Sequence, residues 1–413
     1  MKRIVSIDIA RGLVMVIMAL DHVRDYLDTW SRTHSPTDLT ATTPLLFFTR
    51  WITHFCAPTF VFLAGTSAAI QLARSTDPPK TRRWLLRRGL VLIALEFSIV
   101  GFGFSFDPKF RLFLLEVIGA IGAGTILLSL LSRLPYRWLV VLATVIFFGH
   151  DGLPMPDGMA MPAQNTSFAY TIFRSVSWSL GSFQLSSDRL IAIAYPIIPW
   201  FGIILAGFIS GRWFQLPAPR RKRLFLRAGL IALGAFVVLR FINGYGDPAP
   251  WSLQKQPLFT LLSFLNVNKY PPSLLFSLLT LGGLCLILAA VEPRTSGQPA
   301  PPRAPQPGPP QSPRPSRAAR ILLTFGRTPL FYFIVHLYLI HVILMIVLFA
   351  EGYSLNQLNF GPFQFGRPDA GGGLPTWCIY PIWVAVVSVM YPLCRRYGRY
   401  KTFHPEKTYL RYF

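Results

Sequence analysis

The residues best suited to chemistry in this sequence are ionisable side chains that lie within or beside long apolar runs. The richest cluster, Asp21, His22, Arg24 and Asp25, is near the end of the first run. Residues three or four apart share a helix face, which makes Asp25 a neighbour of His22, and Arg24 a neighbour of Asp21. A carboxylate-held imidazole is the usual form of a general base. We expect His22 to be that base, oriented by Asp21 or Asp25; an interfacial salt-bridge cluster is the alternative.

A second histidine opens the next apolar run, where Arg50, His54 and Pro58 follow one another at intervals of four residues. A nearby guanidinium disfavours the imidazolium form, so His54 could remain neutral and basic. Pro58 lacks a backbone donor and is expected to kink the helix. We interpret His54 as a second candidate catalytic residue and Arg50 as a binding residue, against the alternative that His54 only bonds a neighbouring helix.

Four further residues are candidates for anchoring a donor or a substrate. Asn266 and Lys269 precede an apolar run that starts with two prolines, and Lys269 could bind an anion or extend toward the lipid headgroups. Arg327 lies where another run begins and could contact a phosphate. His336 lies near the middle of that run. With Arg24 and Arg50, these residues form the predicted binding set.

The sequence predicts no metal. Its histidines are scattered, its four cysteines have no metal-ligand spacing, and we find no phosphate-binding loop or dinucleotide fingerprint. An intramembrane ionisable residue is expensive and therefore functional by default. The same residues could instead form the proton relay of a secondary transporter.

The elements that position these residues must be membrane helices. Of 413 residues, 52% are apolar and only 14% are charged, against about 25% charged in a soluble protein, and the mean hydropathy is +0.44. The net charge of +23 comes from short basic clusters between apolar runs, which favours a lipid bilayer over nucleic acid as the partner.

The apolar runs predict an all-α, polytopic protein with about ten transmembrane helices in a single domain over 1–413. Many of the runs approach the roughly 20 residues that cross a bilayer. The predicted spans are 7–27, 45–70, 87–105, 112–132, 137–150, 190–211, 224–244, 272–291, 328–350 and 375–394.

The basic residues orient these spans. With the N-terminus inside, 29 of the 40 Lys and Arg residues fall on the inner side, so both termini are predicted to be cytoplasmic. The segment 151–189 would then be an outer loop. The Pro- and Arg-rich segment 293–319 has no apolar periodicity and is interpreted as a disordered cytoplasmic loop.

Several segments resemble the bacterial heparan-α-glucosaminide N-acetyltransferase-like family of the transmembrane acyltransferase superfamily. They occur in order along nearly the whole chain: SIDIARGLVM (6–15), MALDHVRD (18–25), THFCAPTFVFLAG (53–65), YPIIPW (195–200), KYPPS (269–273) and GRTPLFY (326–332). The resemblance implies a multi-helix enzyme in the bacterial inner membrane, with an intramembrane His near the outer side and an assisting carboxylate.

The resemblance also implies a reaction. Such enzymes move an acyl group, typically acetyl, from cytoplasmic acyl-CoA to an extracytoplasmic sugar, so acetyl-CoA or another acyl-CoA is the expected donor and a sugar or glycan the expected acceptor. We carry the catalytic role onto His22 and His54 as candidates, through either direct transfer or an acyl-enzyme. A homodimer is left open, and a proton-coupled secondary transporter remains the rival function.

Overall fold

The computed structural model describes residues 4–152, 173, 176–177, 181–292 and 316–412. Helices dominate these residues. The first seven are α1 Val5–Leu27, α2 Pro44–Thr53, α3 Cys56–Ala73, α4 Pro78–Leu95, α5 Gly101–Ser105, α6 Val117–Leu131 and α7 Tyr136–Gly149. The next seven are α8 Ile197–Ser210, α9 Ala218–Ile242, α10 Pro257–Leu265, α11 Leu274–Val291, α12 Arg317–Gly326, α13 Pro329–Ala350 and α14 Ile379–Phe403.

Six helical segments within the described residues are long and apolar enough to cross a membrane. They are Pro44–Ala73, Ile197–Gln215, Ala218–Ile242, Leu274–Val291, Pro329–Ala350 and Thr376–Phe403. The chain is therefore a multi-pass membrane protein, as predicted. The other helices predicted as spans are charged or short: α1 carries the acidic and basic residues of the first cluster, and α6 has 15 residues.

The predicted span 45–70 is two helices with a break at His54 and Phe55. Helix α2 ends at Thr53, and α3 starts at Cys56, which places Pro58 in its first turn. Proline has no N–H to donate to the carbonyl four residues earlier, here that of His54, so the helical hydrogen-bond ladder is interrupted at this point. The proline thus places His54 at a break between the two helices.

The all-α prediction is wrong in one respect, because three strands form a small sheet. They are β1 Leu112–Leu115, β2 Gly181–Ser186 and β3 Arg189–Ile193, in the order β1-β3-β2. Strand β3 pairs in parallel with β1, with Leu112 opposite Leu190, and antiparallel with β2. The predicted spans 112–132 and 190–211 therefore begin in strands, since a short apolar run has no periodicity that separates strand from helix.

The carboxylate of Glu96 joins the sheet to the helix that follows it. Its two oxygens accept hydrogen bonds from the backbone N–H groups of Glu116, at 2.8 Å, and Gly119, at 2.9 Å. These donors lie at the start of α6, where the first N–H groups of a helix have no partner within it. Glu96, which the sequence left without a role, is a capping residue contributed by a neighbouring segment.

The two predicted loops fall mainly on residues that the structure does not describe. Within 151–189, positions 153–172, 174–175 and 178–180 are outside the described residues, whereas strand β2 lies inside the segment. Within 293–319, positions 293–315 are outside them. Helix α12 begins at Arg317, so the last three residues of this predicted disordered loop are helical.

Helix α1 is central and packs against α3, α12, α13 and α14. Its contact with α12 is close because it runs through two glycines. A Cβ atom at Gly12 would overlap the carbonyl oxygen of Leu322, and one at Gly326 would overlap the carbonyl oxygen of Asp8. Small residues allow helix backbones to approach closely in membranes. The crossing fixes α1, and with it the first functional cluster, against the helices that follow residue 316.

Candidate active site

A pair of histidines from α1 and α13 forms the centre of the site. The Nδ1 atom of His22 lies 2.8 Å from the Nε2 atom of His336, and the two rings stack with centroids 4.9 Å apart. His336 is fully buried, whereas His22 is half-buried. The Nδ1 atom of His336 lies 2.8 Å from the carbonyl oxygen of Tyr332, one helical turn earlier. The pair therefore forms a chain of hydrogen bonds from the backbone carbonyl of Tyr332, through the buried His336, to the partly accessible imidazole of His22.

The backbone carbonyl determines which nitrogens carry protons. An oxygen of this kind can only accept, so the neutral His336 donates from Nδ1 and accepts at Nε2. His22 must then donate from Nδ1, which leaves its Nε2 with a lone pair. This is the tautomer that a general base requires, and it follows from the hydrogen bonds around the two rings.

The carboxylates beside His22 are engaged by arginines. Asp21 lies 2.6 Å from Arg24 and 2.5 Å from Arg50, and Asp25 lies 2.6 Å from Arg24. The expectation that Asp21 or Asp25 orients His22 is not what the hydrogen bonds show, because His336 occupies the Nδ1 atom of that ring. The sequence cluster correctly paired Arg24 with a carboxylate, but the partner of His22 is 314 residues away.

His54 approaches the same cluster from the break between α2 and α3. Its side chain is 3% exposed and packs edge-on against Phe276, with ring centroids 5.6 Å apart. Its Nδ1 atom has no hydrogen-bond partner among the described residues. Both His22 and His54 lie within electrostatic range of Asp21 and Arg24. The two candidate histidines thus belong to one charged cluster, with α1 on one side and the helix break on the other.

Lys269 brings a third cation to the cluster. It is 7% exposed, and its Nζ atom lies 4.7 Å from the centroid of the Tyr270 ring. It is within electrostatic range of Asp21, His22, His54 and Glu116. Glu116 is half-buried and was not assigned from the sequence, although a carboxylate in an apolar run was a usable signal.

Asn266 has a structural role. Its side-chain N–H donates to the carbonyl oxygen of Thr37 at 3.1 Å, and its own carbonyl accepts from Arg240 at 2.7 Å. Arg240 is 2% exposed and also donates to the carbonyl oxygens of Ala249, Ser263 and Phe264. These bonds hold the segment before Lys269, so Asn266 belongs to the support of the site.

Asp247 holds the same segment from the other side. Its carboxylate accepts from the hydroxyl of Ser273 at 2.7 Å and from the backbone N–H of Asn268 at 2.8 Å. Burial raises the pKa of Asp247, and these hydrogen bonds, with the Arg240 guanidinium, counteract part of that rise. Lys269 is therefore carried on a loop that is fixed on both sides.

His150, in the turn after α7, also holds the loop that carries Lys269 in place. Its Nδ1 atom lies 2.7 Å from the carbonyl of Ile146, and its Nε2 atom lies 2.8 Å from the carbonyl of Pro272 and 3.0 Å from Asp151. Both nitrogens face acceptors, so the imidazolium fits this position best. Burial lowers the pKa of His150, but the bonds to Asp151 and the two carbonyls outweigh it, and the net pKa is raised.

A cavity of about 360 Å³ lies near the beginning of α1. Its basic lining residues are Arg11, Arg74, Arg88, Arg327 and Lys401. Its apolar lining includes Met15, Ile118 and Phe333, and the Phe333 ring lies 6.3 Å from the ring of His22. Phe333 therefore separates the cavity from the histidine pair.

Arg327 lines this cavity, with its guanidinium 3.9 Å from Asp8, and so lies apart from the charged cluster near His22. Asp8 also lies 3.7 Å from Arg11, one turn later on α1. The sequence singled out Arg327 but not Arg74, Arg88 or Lys401, because basic residues at helix ends are also explained by membrane orientation. The folded chain brings them to one cavity.

Within the described ranges, no group of three or more His, Cys, Asp or Glu side chains is arranged to hold a metal ion. The groups gathered around His22 are instead two further imidazoles, three cations and their carboxylates. Such a set can remove a proton and stabilise developing negative charge, which are the requirements of transfer from a thioester.

Comparison with known proteins gives one family. The family model described as heparan-alpha-glucosaminide N-acetyltransferase, catalytic, matches residues 3–239, more than half of the chain. A search of curated proteins finds no match. The matched part contains His22, Arg50, His54 and Glu116, and the family is one of membrane acetyltransferases. With this match over most of its helices, the chain belongs to the heparan-alpha-glucosaminide N-acetyltransferase catalytic family.

Proposed function

We propose that this protein moves an acyl group, in the simplest case acetyl, from cytoplasmic acyl-CoA to an extracytoplasmic sugar or glycan. One observation carries the proposal: the ring of Phe333, which lies 6.3 Å from the ring of His22, lines a cavity whose charged lining residues are five cations and Asp8. Such a cavity suits a donor with phosphates at one end and a thioester at the other.

The size and chemistry of the cavity support this donor. Its volume of about 360 Å³ lies within the range of roughly 300–1,000 Å³ typical of small-molecule sites. Arginine and lysine side chains bind phosphate groups through charge-assisted hydrogen bonds. The apolar walls, among them Met15 and Ile118, would accompany the pantetheine arm toward Phe333.

The chemistry then follows from the tautomer of His22. Its Nε2 atom takes the proton from an acceptor hydroxyl or amine, and the acceptor oxygen or nitrogen attacks the acyl carbon. The carbon–sulfur bond breaks, the thiolate leaves, and the proton on His22 passes to that sulfur. In the net reaction, the carbon–sulfur bond of the thioester and the O–H or N–H bond of the acceptor break. A bond between the acceptor atom and the acyl carbon and the S–H bond of CoA form in their place.

The charged cluster supplies the remaining parts of the mechanism. His336 keeps the Nε2 atom of His22 free for the proton. Arg50 and Lys269 place positive charge where the tetrahedral intermediate develops an oxyanion, which is commonly the largest electrostatic contribution to such reactions. Among these groups, His54 has a ring nitrogen with no hydrogen-bond partner in the described part of the chain and is the candidate to orient the acceptor.

We propose that the chain crosses the membrane ten times, with both termini in the cytoplasm. The bias of basic residues toward one set of segments supports it. It places the cavity at the cytoplasmic side and the cluster of His22, His54 and Lys269 toward the outside. A bacterial inner membrane would present acyl-CoA on one face and glycans on the other.

The direct test supplies acetyl-CoA labelled in the acetyl group to membranes that contain the protein and to membranes that lack it. The proposal expects protein-dependent transfer of label to a glycan or glycolipid, together with stoichiometric release of CoA. Sealed vesicles distinguish the transporter alternative. Solute uptake driven by a proton gradient, without any release of CoA, would contradict the proposal.

A further inference from the structure

Two aromatic rings face each other at the basic end of the cavity. Trp84 lies on α4, and Tyr412 lies in the C-terminal segment that follows α14. Their ring centroids are 6.2 Å apart with 21° between the planes, and both residues line the 360 Å³ cavity. The guanidinium of Arg88 lies 5.6 Å from the centroid of the Trp84 ring. The half-buried Trp84 thus has a cation and a second aromatic ring beside it.

Trp84 also lines a second cavity, of about 440 Å³. The remaining lining residues of that cavity are Lys80, Arg83 and Arg87, which are exposed cations on the same helix. Three positive charges around one recess attract a phosphate group, and arginine can bind it through two parallel hydrogen bonds. One tryptophan therefore links a basic recess to the cavity that leads toward His22.

We propose that Trp84 is the stacking platform for the adenine ring of the acyl-CoA donor, that Tyr412 covers this ring, and that Lys80, Arg83 and Arg87 bind the ribose 3′-phosphate. The proposal rests on the proposed function, because it assigns the nucleotide end of the same donor. Every base has a flat face that stacks on aromatic side chains, and arginine adds a cation–π contribution.

A bound acyl-CoA nucleotide would use both the aromatic ring of Trp84 and the cations of the two cavities. Adenine occupies the position beside Trp84, the pyrophosphate faces the basic residues of the first cavity, and the pantetheine arm extends to Phe333. The C-terminal segment becomes part of the donor site, since Leu410 is buried and Tyr412 lies at the cavity.

The test measures binding of three donors to the purified full-length protein in lipid nanodiscs. Acetyl-CoA carries both the adenine and the 3′-phosphate, acetyl-dephospho-CoA lacks the phosphate, and S-acetylpantetheine lacks the nucleotide. Trp84→Ala should raise the Kd of both nucleotide donors about tenfold, the usual size of one base stacked on an aromatic ring, and leave S-acetylpantetheine unchanged. Trp84→Phe should restore most of the affinity.

A second variant tests the basic recess separately. The double variant Arg83→Gln/Arg87→Gln should weaken acetyl-CoA several-fold and leave acetyl-dephospho-CoA unchanged, which would assign the recess to the 3′-phosphate. The phosphate of an anionic phospholipid headgroup has similar chemistry. An equal change for both donors, or a change only on replacing phosphatidylcholine nanodiscs with phosphatidylglycerol ones, would assign the recess to lipid and overturn that part of the proposal.

Two results separate this inference from the proposed function. If the wild-type protein fails to bind acetyl-CoA at all, the proposed donor is wrong. If the wild type binds acetyl-CoA and Trp84→Ala binds it equally well, only the adenine platform is overturned. Trp138→Ala is the matched control, since Trp138 is an exposed tryptophan near the beginning of α7 that lines neither cavity.

Discussion

The Nδ1 atom of His22 lies 2.8 Å from the Nε2 atom of His336, although 314 residues separate the two histidines in the chain. Together with the bond from His336 to the Tyr332 carbonyl, this contact determines which nitrogen of His22 has a lone pair. We therefore regard His336 as a positioning residue and propose the Nε2 atom of His22 as the reactive atom.

Replacing His336 should reduce turnover through the orientation of His22. His336→Phe removes the acceptor for the Nδ1–H group of His22, and misplacement of a catalytic group can cost roughly 100-fold in rate. His336→Gln keeps a side-chain acceptor and should retain more activity. The measurement is kcat and KM for CoA release, over a range of pH.

The KM for acetyl-CoA should change little in His336→Phe, whereas kcat falls and its pH dependence shifts. His341→Phe is the matched control, because His341 is also buried on α13 but stacks on Phe106. Equal losses in the two variants would show that His336 only fills space.

The charge cluster should respond unequally to removal of its two aspartates. Asp21→Asn leaves the buried Arg24 and the partly buried Arg50 without the carboxylate that they share, and breaking a buried ion pair typically costs about 3–5 kcal/mol. Asp25 is half exposed, so Asp25→Asn should cost less than about 1 kcal/mol. Thermal unfolding in detergent would measure both. Equal unfolding temperatures for the two variants would contradict the central role of Asp21.

Much of the helical scaffold was predictable from the sequence, because a membrane imposes length and apolarity on each helix. The spans 7–27, 272–291 and 328–350 agree with α1, α11 and α13 within a few residues. The strands were not predictable, since β1 and β3 are apolar runs of four and five residues that continue toward apolar helices. Helix α12 was assigned partly to a disordered loop because it begins at the end of the Pro- and Arg-rich segment 293–319, which has no apolar periodicity.

The crossing of α1 and α12 should not tolerate a side chain at Gly12 or Gly326. At Gly12 or Gly326 an added methyl group would overlap a backbone carbonyl of the other helix. Overpacking of this kind typically costs about 1–3 kcal/mol, and more where the backbone itself must move. Gly12→Ala and Gly326→Ala should lower the unfolding temperature and the yield of folded protein.

Gly234→Ala is the control for this crossing. It lies in helix α9 with nothing within 4 Å of an added Cβ. Alanine is favoured over glycine in a helix interior by up to about 1 kcal/mol, so this variant should be neutral or slightly stabilised. Tolerance of alanine at Gly12 and Gly326 would mean that α1 and α12 do not cross as closely as described.

The contacts of His150 with Asp151 and with the carbonyls of Ile146 and Pro272 should make stability depend on pH. The pKa of His150 is raised in the folded protein, above its usual value of 6.5. Its contribution is therefore fully present below pH 6.5 and is lost as the pH rises through the folded pKa. The unfolding temperature should fall over this alkaline range.

His150→Gln should remove most of that dependence, because glutamine does not titrate. It also loses at least one of the three contacts that the imidazole makes with Asp151 and with the Ile146 and Pro272 carbonyls, so it should be less stable than the wild type at pH 6 by roughly 1 kcal/mol or more. Parallel pH curves for the wild type and His150→Gln would contradict an imidazolium at this position.

The site itself was predictable in part. His22, His54, Arg50 and Lys269 stand out as polar groups in apolar runs, and the structure brings them into one cluster. The partner of His22 could not be inferred, because helix periodicity relates residues within one helix only, and the nearest carboxylates were the local alternative. The cavity depends on α3, α4, α12 and the C-terminal segment together, and no local pattern connects these.

The most direct measurement compares wild-type and His22→Ala protein for single-turnover transfer of labelled acetyl from acetyl-CoA to the glycan acceptor of native membranes. We expect a loss of roughly 100-fold or more in the transfer rate, the usual contribution of a general base, with acetyl-CoA binding unchanged. The control variant His34→Ala changes an exposed histidine on the loop after α1 and should transfer at the wild-type rate. Transfer by His22→Ala at the wild-type rate would show that His22 is not the general base.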